Sequence, residues 1–400
     1  MRFYRNTVFA VIQVLKEVFI EKRYADKVIE HVLKQNPRWG ARDRRFIAES
    51  SYEIIRWWRL IKECAGAPEN NEQNLWKIFG AWCVLNEIGP PDWEEFNKID
   101  PEKIRKNYER AQHQFKLRES IPDWMDEMGR AELPAKWEDE VHALNQQADV
   151  VLRTNTLKTT REQLEKALKE SDVETETISW CPDALVLNRR QNVFRLPLFK
   201  EGHFEVQDAS SQNVSLFLQV EPGMRVIDAC AGGGGKSLYL SALMKNKGRI
   251  IAMDVEQWKL DELKKRSRRA GATNIEPRLI DSTKAIKRLH NTADRLLLDV
   301  PCSGMGVLKR NPDAKWKLTP EFIDSVKKTQ QELLESYSNM LKPGGLMVYS
   351  TCSLLPSENE KQVEVFLSKH KDQYELVKEK RHWPSEGFDG FYMALIKKLN

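Results

Sequence analysis

Two cysteines in this 400-residue chain sit where a reactive thiol is expected. Asp299-Val300-Pro301-Cys302-Ser303-Gly304-Met305-Gly306 and Ser350-Thr351-Cys352-Ser353 each follow a short apolar run, residues 295–298 and 346–349, that reads as a strand. A cysteine leaving a strand into a glycine-rich loop is a candidate thiolate, whereas a cysteine within an apolar pattern is usually a small packed hydrophobe. Cys64, Cys83 and Cys181 read as packing. The six cysteines have no short pairwise spacing, so neither a disulfide framework nor a metal site is expected.

A second cluster follows the apolar run 224–227. Asp228-Ala229-Cys230-Ala231-Gly232-Gly233-Gly234-Gly235-Lys236-Ser237 leads directly into a helix pattern. Its consecutive glycines let backbone amides approach a ligand at the electropositive helix start. The dinucleotide fingerprint fails, because its third glycine would fall on Ser237 or Leu238. The Walker-type phosphate loop also fails: the Gly-Lys-Ser ending is present, but Cys230 stands where its first glycine is needed. Further strand ends present Asp254, Asp281 and Asp299. An acid at the end of the second strand is placed for the two ribose hydroxyls of a nucleoside. One such acid alone is ordinarily a helix cap or a solvated strand end. Their recurrence beside one glycine loop indicates an adenosine-containing ligand without a polyphosphate, and hence S-adenosylmethionine.

Paired thiols then select among methyl transfers. Carbon 5 of a pyrimidine is a poor nucleophile, and a thiolate adding to carbon 6 makes it enamine-like. A base must afterwards remove the carbon 5 proton so that the thiolate can leave. Methylation of a ring nitrogen or a ribose oxygen needs no such thiol.

The elements that position these residues form an α/β pattern. After Pro222-Gly223, short apolar strands alternate with longer helices, which implies a Rossmann-like, doubly wound parallel sheet. Its strands are expected at 224–227, 249–253, 275–280, 295–298 and 346–349, with a late pair at 374–377 and 391–396. Upstream, residues 150–155 read as a strand and 160–171 as a helix capped by Thr159 or Thr160. Short strands near 184–187 and 202–207 complete a small α+β unit. Of the 12 tryptophans, eight precede residue 138, and of the 19 glycines, 13 follow residue 220, so a bulky helical front precedes a loop-rich back. Three domains are expected: all-helical over 1–135, a small α+β, RNA-binding-like unit over 145–210, and the catalytic domain over 211–400.

Composition limits the alternatives. A hydrophobic fraction of 41% with 31% charged residues excludes disorder as the main state. No run approaches the roughly 20 apolar residues of a membrane span. The start has no small-residue cleavage site after its apolar stretch, so a cytoplasmic protein is expected. Lys and Arg number 64 against 59 Asp and Glu, which excludes a histone-like polycation and leaves anion binding to local clusters.

Four segments carry a family resemblance: Asp-Ala-Cys-Ala-Gly-Gly-Gly-Gly-Lys (228–236), Asp-Val-Pro-Cys-Ser-Gly-Met-Gly (299–306), Lys-Arg-Asn-Pro-Asp-Ala-Lys-Trp (309–316) and Tyr-Ser-Thr-Cys-Ser (349–353). In that order they resemble the motifs of the RsmB/NSUN family of RNA 5-methylcytosine methyltransferases. Val206-Gln207-Asp208-Ala209-Ser210-Ser211-Gln212 and Arg153-Thr154-Asn155-Thr156-Leu157-Lys158 are similar to the segments leading into that core. The resemblance implies that Cys352 attacks carbon 6 and that Cys302 assists proton removal and product release. Asp299 would contact the base edge, favouring cytosine, and lie near the methionine part of the cofactor. Cys230, Ala231, Gly232, Gly233, Gly234, Gly235 and Lys236, with Asp254 and Asp281, would hold S-adenosylmethionine. One departure stands out: Gly232-Gly233 replaces the family's usual Ala-Pro, which loosens the unbound loop.

The helical front, with Asp43-Arg44-Arg45-Phe46-Ile47, Tyr52 and Arg56-Trp57, is similar to the NusB-like RNA-binding domain of bacterial RsmB proteins. Arg44 and Arg45 belong to a set of arginines near Trp39, Trp57 and Trp58 suited to phosphate contact and stacking, though a packed core with a solvated face gives the same pattern. Lys309, Arg310 and Lys315, in the loop after Cys302, are the other expected RNA contacts. Lys264, Lys265, Arg266, Arg268 and Arg269 fit a solvated helix end, as dipole and capping rules dictate. The expected partner is RNA, ribosomal before transfer RNA, met by a monomer without an obligate protein partner. A catalytically silent RNA-binding assembly factor, which would be expected to lack one cysteine, and a Gly-Lys-Ser nucleotide hydrolase are the competing readings.

Overall fold

A computed structural model describes residues 3–399. The chain divides into two units, one built from everything up to Gln146 together with Leu308–Thr319, the other from Gln147–Val307 and the chain from Pro320 onward.

In the first unit, apolar residues at helical spacing build one core. Helix Arg5–Phe19 buries Val8, Val11, Val14, Leu15 and Val18, and Ala25–Gln35 buries Val28, Ile29 and Val32 against it. Ala41–Arg56, Trp58–Ala65 and Glu72–Leu85 complete the layer, the last capped by the Asn71 side chain, which accepts from the Asn74 amide at 2.9 Å. Trp58 stacks on Phe19 in this core, while Trp57 is only half-buried. The helical unit runs past the expected boundary at 135, because helix Trp137–Leu144 belongs to it. Gly129 makes room for the Trp137 ring, where a Cβ would approach within 2.2 Å. Residues 308–319 also belong here instead of forming an open loop. Trp316 Nε1 donates to the Ile55 carbonyl at 2.7 Å, and the Asp313 carboxylate accepts from the Ala25 amide at 3.0 Å.

The second unit holds two sheets. Strands β1 (Val151–Thr154), β2 (Thr175–Ile178), β3 (Cys181–Leu187) and β4 (Phe204–Val206) form an antiparallel sheet in the order β2-β3-β1-β4. Helix Arg161–Lys169 begins at Thr160 with the reciprocal Thr160–Gln163 capping box. The larger sheet comprises β5 (Arg225–Asp228), β6 (Arg249–Asp254), β7 (Ile275–Leu279), β8 (Ala293–Asp299), β9 (Leu341–Thr351), β10 (Tyr374–His382) and β11 (Phe391–Lys398), in the order β10-β11-β9-β8-β5-β6-β7. The first five strands are parallel, and the late pair adds antiparallel to β9. The order reverses between β5 and β8, so the carboxyl ends of these two strands flank the crevice where such sheets bind ligands.

Helix Gln257–Ala270 joins the two sheets; Lys264, Lys265 and Arg268 are exposed, as expected of a solvated helix end, but Arg266 and Arg269 are not part of it. Arg266 and Arg269 both pair with Glu205 on β4, a carboxylate only 4% exposed. Burial alone would raise Glu205, but Arg266, Arg269 and Arg153 together hold it below the usual carboxylate range. Asn155 Nδ2 donates to the Gly202 and Ala270 carbonyls at 2.7 and 2.8 Å. Gly202, at φ +78°, lets the Arg269 carbonyl come close, since a Cβ there would lie 2.1 Å from that oxygen. Among the described residues no helix is long and apolar enough to cross a membrane.

Candidate active site

Strands β8 and β9 are parallel neighbours, with Asp299 paired to Ser350. Both chains turn just past these residues, so Cys302 and Cys352 emerge side by side with their Sγ atoms 3.3 Å apart. The hydrogen bond to Cys352 is the first cause that pushes the Cys302 thiol well above its usual range, followed by burial and by the charges of Cys352 and Glu358. Cys302 is therefore held as the neutral thiol, in hydrogen-bond contact with the Cys352 sulfur.

A carboxylate missed in the sequence locks the two loops in register. Glu358, fully buried, accepts from the Ser303 amide at 2.8 Å, the Ser353 hydroxyl at 2.5 Å and Gln330 Nε2 at 3.1 Å. Ser303 and Ser353, each next to a cysteine, also bond to one another at 3.1 Å. Gly306 donates its amide to the Cys352 carbonyl and accepts from the Gly390 amide, both at 2.8 Å. A Cβ on Gly306 would lie 2.2 Å from the Gly390 carbonyl oxygen, so this approach requires glycine.

Lys236 and Asp299 meet at the switch point, Nζ to Oδ2 at 2.6 Å, and Asp299 Oδ1 accepts from the Ser350 hydroxyl at 3.0 Å. Burial works against the Lys236 charge, but Asp299, helped by Cys352 and Asp228, more than offsets this and raises its pKa. The ammonium is thus a fixed positive charge whose field is shared by the base-contact candidate and the proposed nucleophile.

The glycine loop between β5 and helix Gly235–Leu243 takes positive φ at Gly232 (+53°) and Gly234 (+84°). At Gly234 a Cβ would also strike Leu263 at 2.6 Å, whereas one at Gly232 would meet nothing within 4 Å, so the loop has an open face there. Asp254, at the end of β6, accepts from the Gly232 amide and the Glu256 amide, each at 2.9 Å. Arg266 donates to the Gly233 carbonyl at 2.8 Å and Arg153 to the Gly235 carbonyl. These arginine contacts, also unforeseen, support the loop where the Gly232-Gly233 pair lacks a proline. Cys230 stays a neutral thiol, raised first by burial and then by the fields of Asp228, Asp299 and Asp254. Asp281 lies exposed beyond β7 and bonds to the Ser282 hydroxyl at 3.0 Å.

This arrangement suits S-adenosylmethionine. Amides at a helix start and an open loop face accommodate the nucleoside, and Asp254 stands at the strand end where ribose hydroxyls are taken. The carboxylates of Asp254 and Asp299 beside the loop favour a sulfonium cation and oppose a polyphosphate.

The proposed RNA contacts fare differently. Lys315 is 2% exposed, donates to Asn145 Oδ1 at 3.0 Å, and has its pKa pushed well below the lysine range by burial and then by Arg56. It packs the helical unit and is not a phosphate ligand. Lys309 is also buried and Arg310 half-buried. Arg44 spends its guanidinium on the carbonyls of Leu33, Asn36 and Trp39 at the end of helix Ala25–Gln35, which is a capping role. Arg45 is exposed, 4.0 Å from Glu49. Cys64, Cys83 and Cys181 are buried, and burial pushes the Cys64 and Cys181 thiols up to about 12.

A sheet of this order, with a glycine loop after its first strand and an acid after its second, is that of an S-adenosylmethionine-dependent methyltransferase. A family model described as 16S rRNA methyltransferase RsmB/F matches residues 215–397, and one for the RsmF/B-like ferredoxin-like domain matches residues 121–194. The probable ribosomal RNA small subunit methyltransferase B of Synechocystis is 33% identical over 416 residues, which cover 94% of this chain and 90% of that one. The chain belongs to the RsmB/F family of RNA methyltransferases. The ribosomal RNA small subunit methyltransferase B of Klebsiella pneumoniae is 34% identical over 292 residues, a match spanning 70% of this chain and 66% of that one. The crystal structure of PH0851 superposes with a TM-score of 0.84 and 26% identity over 100% of both chains.

Proposed function

We propose that this protein methylates carbon 5 of a cytosine in small-subunit ribosomal RNA, with Cys352 as the nucleophile. The observation that carries this reading is the contact of the Cys302 and Cys352 sulfurs at 3.3 Å. Two thiols so placed serve a reaction that must both add a thiolate to a ring and expel it again. The names of the relatives support the choice of RNA.

Cys352 Sγ forms a bond to carbon 6, and the ring electrons shift toward carbon 5. S-adenosylmethionine supplies an electrophilic methyl group there. Asp299 accepts from the N4 amino group of cytosine, where uracil would present only the O4 acceptor. Lys236, ion-paired with Asp299, balances negative charge that builds on the ring. Once Cys352 is alkylated it no longer holds the proton on Cys302, so the Cys302 thiol becomes more acidic, releases that proton to water and serves as the base. Removal of the carbon 5 proton restores the carbon 5–carbon 6 double bond and frees Cys352 as a thiolate, which Cys302, now protonated, receives with a hydrogen bond. On this reading the protein works as a monomer in the cytoplasm.

Small-subunit RNA incubated with protein and methyl-tritiated S-adenosylmethionine tests it. Label on cytosine carbon 5 is expected from the wild type and none from Cys352→Ala, while Cys302→Ala remains covalently attached to RNA. Undiminished transfer by Cys352→Ala would refute the mechanism.

A further inference from the structure

We propose that residues 188–200, on the small antiparallel sheet, form a contact surface for a single RNA strand, an inference that rests on the RNA-methylating reading above. The segment leaves β3 as Asn188-Arg189-Arg190-Gln191-Asn192-Val193-Phe194-Arg195-Leu196-Pro197-Leu198-Phe199-Lys200. It carries the four cations Arg189, Arg190, Arg195 and Lys200 and no acidic residue, in a chain whose charges nearly cancel at 64 to 59. All four are exposed, and none has an acidic partner among the described residues. The contrast with other basic stretches is informative: Arg266 and Arg269 are spent on Glu205, Arg44 on helix carbonyls and Lys315 on Asn145.

Among these cations stands Phe194, 56% exposed. An exposed ring interleaved with cations is the combination single-stranded nucleic acid uses, bases stacking on the ring while phosphates meet the charges. The ring is nevertheless held in place. Val193 is buried beside it, Asn192 Oδ1 accepts from the Phe194 amide at 3.2 Å, and the ring meets Phe199 edge-on with centroids 5.0 Å apart. Phe199 in turn lies 4.1 Å below the Arg269 guanidinium, and Arg269 shares Glu205 with Arg266, which donates to the Gly233 carbonyl of the cofactor loop. A continuous set of contacts thus joins this surface to the loop expected to hold the cofactor. A preorganised ring flanked by unpaired guanidinium groups fits a base stacked on Phe194 with its neighbouring phosphates on the arginines. An acidic peptide would use the charges but leave the ring without a function.

The test measures binding of the full chain to a fluorescein-labelled small-subunit RNA transcript as a function of salt. Replacing Arg189, Arg190 and Arg195 together by Gln should lower the slope of log affinity against log salt by about 2, at roughly 0.7 per phosphate contact on a single strand. Phe194→Ala should weaken binding roughly tenfold at unchanged slope. Both variants should bind S-adenosylmethionine as the wild type does in equilibrium dialysis, and in turnover should raise KM for RNA with kcat retained. Wild-type slope and affinity in both variants would overturn the proposal. So would retained RNA affinity with lost binding to polyglutamate, which would assign the surface to an acidic peptide. Steep salt dependence carried by these residues in a protein that transfers no methyl group would leave the surface standing and remove the enzymatic reading instead.

Discussion

Asp228 offers a quantitative test of how the switch point is built. It ends β5, is 1% exposed, and accepts one short bond, from the Ser237 hydroxyl at 2.6 Å. Burial raises its pKa from 3.8 to about 7, with Asp299 adding to the rise and Ser237 and Lys236 offsetting part of it. A carboxyl whose pKa is higher folded than unfolded binds its proton more tightly in the native state. Its contribution is then fully present below about pH 4 and is lost as pH rises through about 7. At 1.36 kcal/mol per pH unit over this interval, the ionised carboxylate costs the fold about 4 kcal/mol at pH 8 relative to pH 4. Asp228→Asn keeps an acceptor for Ser237 and cannot ionise, so it should remove this slope. Urea unfolding of cofactor-free wild type and variant at half-unit steps from pH 5 to pH 8.5 measures the difference. The variant should gain about 3 kcal/mol relative to the wild type across that range. A difference independent of pH would show that Asp228 is already ionised, and that the field at the glycine loop is more negative than this account allows.

Gly306→Ala should cost at least about 100-fold in methyl transfer, because relieving the 2.2 Å approach to Gly390 displaces the loop that carries Cys302 and breaks its bond to the Cys352 carbonyl; single-turnover assays beside a thermal melt separate this from global unfolding. Glu358→Ala leaves the donors of Ser303, Ser353 and Gln330 buried without their acceptor. It should destabilise by about 2–4 kcal/mol in denaturant titrations and speed alkylation of Cys302, whose thiol loses a neighbouring charge. Lys315→Met should leave the salt slope of RNA binding unchanged. Because the buried amine resists protonation, wild-type stability should fall as pH drops below the lysine range, and the variant's should not.

The catalytic half was largely legible because its signals are local. Each strand that matters is a short apolar run ending in an acid or a Pro-Cys or Thr-Cys turn, and in the unit before it Thr160, one of the two expected caps, starts its helix. What escaped depends on partners distant in sequence. Arg266 and Arg269 look like an ordinary basic helix end until Glu205, some 60 residues earlier, is brought beneath them. Glu358 looks like one more acid at a helix start, and only the convergence of Ser303, Ser353 and Gln330 gives it a role. Lys315 misled for the same reason, since a lysine in a basic loop signals exposure unless a long-range fold takes it inside.

The excursion of residues 308–319 has a consequence for how the protein is made. The helical unit comes first in the chain, yet it closes around Asp313, Lys315 and Trp316. A nascent chain therefore cannot finish its first unit until β5 through β8 have left the ribosome, so the usual order in which an amino-terminal domain folds before the next is synthesised does not apply. The same topology sets the limits of dissection. A fragment ending at residue 146 would lack the indole that meets Ile55 and the carboxylate that meets Ala25, whereas a fusion of residues 1–146 to a tethered 308–319 peptide would carry every piece its core requires.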